Sequence, residues 1–107
     1  MYNEQPKISQ AFQAFMSEAP QHAQAWAGLV QRLGEASVLD KKTQALAYLA
    51  VLAVLGRESG IPFHVDLARQ AGASREEVIS AILVGLPAAG HGVTQVLPTA
   101  VAAYDAA

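Results

Sequence analysis

Cysteine is absent from the 107 residues, which excludes disulfides, thiolate metal sites and any peroxidatic thiol. Charge is scarce as well: charged residues make up 15%, against about 25% in ordinary soluble domains. The seven Lys and Arg are scattered and are outnumbered by nine Asp and Glu. Such a chain offers no concentrated basic face for binding nucleic acid by counterion release. No apolar run reaches the ~20 residues needed to cross a bilayer, and the first residues lack the basic and apolar regions of a signal peptide. A cytoplasmic protein is the expectation that remains. Two-residue alternation of apolar and polar side chains is missing too, so the chain is expected to be all-α.

What is present is apolar and small. Hydrophobic residues make up 52% of the chain, and 22 residues are alanine. A chain of this length is read as a single domain, 1–107, with room for one core. So little charge on so high a surface-to-volume ratio predicts that one helical face is buried against another subunit. A homo-oligomer is therefore expected. Ala45 to Leu55 is an unbroken apolar run, predicted to be a helix buried on nearly every side and to form part of that interface.

The helices can be read in order. Ile8, Ala11, Phe12, Phe15 and Met16 form an amphipathic stripe bounded by Pro20, and Trp26, Leu29, Val30 and Leu33 form a second, with Gly34 placed to take the left-handed residue past its end. Leu39-Asp40-Lys41-Lys42-Thr43 opens a long central helix, with Ser37 or Asp40 available as its cap. Gly56, Gly60 and Pro62 stop that helix, and Pro62 suits the first turn of the next, Phe63 to Ala71. Gly72 closes this one. Ser74 with Glu77 three residues on makes a capping box, and Val78, Ile79, Ile82, Leu83 and Leu86 keep helical spacing as far as Pro87. After the Gly90-His91-Gly92 break, a last helix is predicted over roughly Val93 to Ala103, with Pro98 as either a kink or a late start.

The segment LDKKTQALAYLAVLAVL, followed by His64-Val65-Asp66-Leu67-Ala68-Arg69-Gln70-Ala71-Gly72-Ala73-Ser74-Arg75-Glu76-Glu77-Val78, resembles the alkylhydroperoxidase-D-like and carboxymuconolactone decarboxylase superfamily. The resemblance runs from about Phe12 to Tyr104. It implies all-helical subunits whose long central helices pack into trimers or hexamers. One branch of that superfamily reduces hydroperoxides with a cysteine pair four and seven residues before its histidine, aided by a glutamate on the preceding helix. Here those positions are Gly60, Arg57 and Ala45, and His64 alone is kept. Neither Gly nor Arg replaces a thiolate nucleophile, so peroxidase chemistry is excluded. The other branch lacks the cysteines and decarboxylates a lactone ring acid, and a cysteine-free chain falls nearer to it by elimination.

His64 is the leading candidate for chemistry. In the first turn behind Pro62 it faces the positive end of its helix, which favours a neutral ring able to accept a proton beside a bound carboxylate. The bland alternative is a packed histidine that donates to a backbone carbonyl. Glu58, six residues earlier, sits where a carboxylate opposes the helix dipole; it either assists His64 or is a solvated end paired with Arg57 or Arg69. Arg57 and Arg69 are the cations nearest the site and suit a carboxylate ligand or a subunit-interface ion pair. His91, between two glycines, is either a hinge residue or part of a ligand-facing loop, and His22 with Glu18 reads as a surface pair. No metal-ligand spacing and no phosphate-cradling glycine loop occurs, so neither metal nor cofactor is expected.

Two further classes compete. Leu67 to Val78 also has the spacing of a helix-turn-helix, but its second helix would begin Arg75-Glu76-Glu77, repelling phosphates, and continue almost wholly apolar to Leu86. The other is an oligomer that binds a small molecule or protein without catalysis. The reading preferred here is an all-α, cysteine-free homo-oligomer, a trimer or hexamer. It would carry out acid/base chemistry, decarboxylation or isomerisation, on a small organic acid or lactone, with His64 and Glu58 catalytic and Arg57 and His91 binding substrate.

Overall fold

The computed structural model describes residues 8–106. They fall into two compact units divided between Leu39 and Asp40, and no strand occurs among the described residues.

The first unit is a pair of helices, α1 (Gln10–Glu18) and α2 (Pro20–Ala36). Ser9 caps α1, its Oγ accepting from the Phe12 N–H at 3.1 Å, and Pro20 opens α2 where no intrahelical donor is needed. The Trp26 ring meets Phe12 at 5.4 Å and Phe15 at 6.5 Å, edge-on in both cases. These rings join the two stripes read from the sequence. Neither helix has a fully buried residue. Gly34 does not end α2 as expected. The helix runs on to Ala36, and the N–H of Ser37 closes its last turn on Leu33 and Gly34, so the conformational freedom of Gly34 goes unused.

The second unit holds the core. Its central helix, α3 (Lys41–Leu55), begins where Asp40 accepts from the Thr43 N–H at 2.7 Å and ends at Gly56, whose φ of 67° is left-handed. A 3-10 turn, Glu58–Gly60, leads without a gap into α4 (Ile61–Gln70). Hence α4 starts at Ile61 rather than Phe63, with Pro62 inside its first turn. Gly72 (φ 98°) makes the next corner, and the complete capping box of Ser74 and Glu77 opens α5 (Arg75–Leu83). The apolar spacing continues to Leu86, yet α5 stops at Leu83 and a short α6 (Leu86–Ala89) follows, with Pro87 in its first turn. The predicted last helix is likewise split. His91–Val96 is a 3-10 turn, and α7 (Leu97–Asp105) starts with Pro98 in its first turn, the late start rather than the kink.

Leu49, Leu52 and Ala53 of α3 pack with Ile61 and Val65 of α4, Val78 and Ile82 of α5, and Val93, Val96 and Ala100 beyond. Each fully buried Leu or Ile contributes about 1.5–3 kcal/mol. Two contacts align α3 with α5. Lys42 pairs with Glu77 at 3.0 Å near the start of both helices, and Val54 lies against Gly85 just past the end of α5. The expectation that Ala45 to Leu55 would be covered on nearly every side is corrected within the chain. Tyr48, Val51, Val54 and Leu55 are 44–61% exposed, because α4 and α5 cover only one side of α3.

Candidate functional site

His64 occupies the first turn of α4, where the spacing from buried Ile61 and Val65 turns its ring toward α3. There it stacks on Tyr48, with ring centroids 4.3 Å apart and planes 23° from parallel. Phe63 meets the same ring edge-on at 5.2 Å. Burial pushes the imidazole pKa below its usual value, because leaving water penalises the charged form. Near neutral pH the ring is therefore uncharged. Among the described residues, neither ring nitrogen has a hydrogen-bond partner, and the one buried side-chain nitrogen or oxygen without a partner is Arg69 Nε. The nitrogens of His64 consequently reach solvent, and no backbone carbonyl ties them down.

The other predicted residues lie on separate supports. Glu58, in the 3-10 turn, accepts a 2.6 Å hydrogen bond from Thr99 Oγ1 of α7; among the described residues, none joins it to His64. Arg57 is exposed just past α3, and its backbone N–H donates to the Leu52 carbonyl at 2.9 Å. Arg69 is occupied by the fold, pairing with Asp66 at 2.6 Å and lying 5.9 Å from the centre of the Tyr104 ring. His91 is exposed at the head of its 3-10 turn, and its carbonyl accepts from Thr94 Oγ1 at 2.8 Å. Among the described residues no ion pair joins His22 to Glu18, and no group of three or more His, Asp or Glu is placed to hold a metal ion. Among the described residues, no helix is long and apolar enough to cross a membrane.

Sequence reasoning missed Tyr48, Phe63 and Thr99. Tyr48 is the only aromatic residue in the apolar run of α3, a signal that was available. Nothing local marks Thr99, which lies 41 residues from Glu58. The arrangement supplies a neutral, solvent-reachable imidazole on an aromatic shelf, suited to taking a proton or to donating a hydrogen bond to an acid.

A cysteine-free helical domain built around a long apolar helix, with one partly buried histidine behind a Gly/Pro break, defines the class. The carboxymuconolactone decarboxylase family model matches residues 20–106, and the chain belongs to that family. No curated protein and no solved structure matches it.

Proposed function

We propose that the protein is a non-redox lyase-type enzyme of the cytoplasm. It decarboxylates or isomerises a small carboxylated or lactone substrate, with His64 as general base or acid. The observation that carries this reading is the His64 ring itself, stacked on Tyr48, kept neutral by burial and open at its nitrogens. Family membership supports the substrate class. Glu58 assists as a second acid/base group, and Arg57 and His91 engage the carboxylate, Arg through its two parallel donors. The working unit is a homo-oligomer, a trimer or hexamer, in which the outward face of α3 is covered by neighbouring subunits. Its scarcity of charge and its exposed Tyr48, Val51 and Leu55 support that assembly.

A second reading is a non-catalytic oligomer that binds a small acid on the same scaffold. The observation favouring it is that Glu58 is held by Thr99 and not by the histidine. The test is a thermal-shift screen of small aromatic-pathway acids and lactones on wild type and His64→Gln, followed by product analysis with each stabilising compound. Turnover lost in the variant supports the enzyme. Stabilisation by ligand without product, equal in both proteins, supports the binding module.

A further inference from the structure

The contact of Tyr48 with His64 leaves the imidazole nitrogens open but takes up one face of the ring. The ring centroids lie 4.3 Å apart with planes 23° from parallel, and Phe63 stands across the same imidazole at 5.2 Å and 87°. With one face covered and a second ring set crosswise to it, the imidazole cannot swing out of its plane without a clash. Among the described residues the phenol oxygen of Tyr48 has no hydrogen-bond partner, so the ring makes the contact and the hydroxyl does not. We infer that Tyr48 is a positioning residue for His64: its ring holds the imidazole in one plane, and its electron-rich face carries the positive charge that the imidazole gains on taking a proton.

The inference rests on the proposed function, in which His64 acts as a base, and adds the residue that lets a half-buried base work. When His64 takes a proton from substrate, its lone pair forms the new N–H bond, the old bonding pair stays on the substrate and the imidazole becomes a cation. Burial opposes that charge. An aromatic face within about 6 Å attracts it, and the stack at 4.3 Å lies well inside that reach. Tyr48 therefore acts in two opposed ways: its bulk keeps water from the imidazole, and its face stabilises the cation.

Among the described residues, none of the charged groups on α4 or on the elements packed against it pairs with His64. Lys42 of α3 holds Glu77 of α5, Arg75 of α5 holds Asp105 of α7, and Asp66 holds Arg69 within α4. Glu58 of the 3-10 turn accepts from Thr99 of α7. Lys41 of α3, Arg57 just past it and Glu76 of α5 are exposed, and Tyr104 of α7 donates to the Ala73 carbonyl. The imidazolium is thus met by the Tyr48 face and not by a carboxylate.

The experiment is a nuclear magnetic resonance titration of the full chain, following the imidazole proton signals from about pH 4.5 to about pH 8.5, a span that brackets histidine. His64→Gln identifies the His64 signal among the three histidines. Tyr48→Phe keeps the ring, whereas Tyr48→Leu keeps most of the bulk and removes the aromatic face. Circular dichroism confirms that each variant is folded, and Tyr48→Met replaces Tyr48→Leu if the latter is not. Wild type and Tyr48→Phe should titrate alike, and Tyr48→Leu should titrate about half a pH unit lower, a roughly threefold loss of proton affinity. The sign decides, because lost cover alone would push the midpoint up. An unchanged or raised midpoint in Tyr48→Leu overturns the inference, and an equal fall in Tyr48→Phe overturns the assignment to the ring. The titration needs no substrate, so its outcome is independent of the proposed function. With any compound that the wild type turns over, Tyr48→Leu should lower kcat about threefold at unchanged KM and move the acid limb of the rate profile down with the titration; Tyr48→Phe should restore both. A limb that stays in place while the titration moves overturns His64 as the base and leaves its pairing with Tyr48 standing.

Discussion

His64 and Tyr48, on different helices and 16 residues apart in the chain, lie face to face with ring centroids 4.3 Å apart. A side chain of α3 thus helps to shield the imidazole of α4 from water, and that shielding governs its protonation.

The folded-state pKa of His64 is lowered by burial, so the folded protein resists a proton that the unfolded chain accepts. Its sign follows from linkage: stability is unaffected above the unfolded value near 6.5 and declines as pH falls from there through the lower folded value. Nuclear magnetic resonance should place the titration midpoint of His64 below the usual imidazole value. Tyr48→Ala should raise it by uncovering the ring. Denaturant unfolding of His64→Gln should lack the wild-type decline over the same pH interval.

Gly56 and Gly72 hold φ at 67° and 98°, and a Cβ at either position would meet no atom within 4 Å. Alanine there is penalised by the backbone alone, about 1–2 kcal/mol each. Gly60, with φ −88°, is in ordinary right-handed space, and its Cβ would touch Leu52 at a comfortable 3.5 Å. Gly60→Ala should be neutral or stabilising by up to about 1 kcal/mol. Chemical denaturation of the three variants separates these outcomes.

Ser74 Oγ accepts from the Glu77 N–H at 3.0 Å, and Glu77 Oε1 accepts from the Ser74 N–H at 2.8 Å. Ser74→Ala should lose about 1 kcal/mol of stability. The carboxylate of Glu77 is held below its usual pKa, first by that backbone bond and then by Lys42. Its contribution is present above the usual carboxylate range and is lost as pH falls through the lowered folded value. The gap between wild type and Glu77→Gln should therefore narrow in acid, as acid titration of the two proteins would reveal.

Leu49 is fully buried and Val84 is 68% exposed. Leu49→Ala should cost about 2–5 kcal/mol, through lost burial and the cavity left behind. Val84→Ser should change stability by less than about 0.5 kcal/mol in the isolated subunit. Thermal melting distinguishes the two at once, and a large loss at Val84 would show that the residue is covered in the assembled protein.

The local chemistry of the chain was legible wherever one residue and its near neighbours decide the outcome. Asp40 caps α3, Gly56 ends it, Pro62 lies in the first turn of α4, and Ser74 with Glu77 opens α5, each as the residue types require. Gly34 shows the limit of that reasoning. A glycine permits a left-handed end without imposing one, and α2 continued through it. His64 was singled out by its position behind Pro62, but its shelf was not, because Tyr48 reads as one more apolar residue in an apolar run.

By itself, the sequence determined the helical class, the turns at Gly56 and Gly72 that bound the central helices and the absence of thiol chemistry, because periodicity, capping, glycine, proline and the lack of cysteine act within a turn or two of the chain. Only the tertiary structure decided which side of α3 is covered, that His64 rests on Tyr48, and that Glu58 is held by Thr99 across 41 residues. Those outcomes depend on how α3, α4 and α7 pack against one another, and packing at such separations is set by the joint burial of Leu49, Ile61, Val65 and Ala100, not by any one segment.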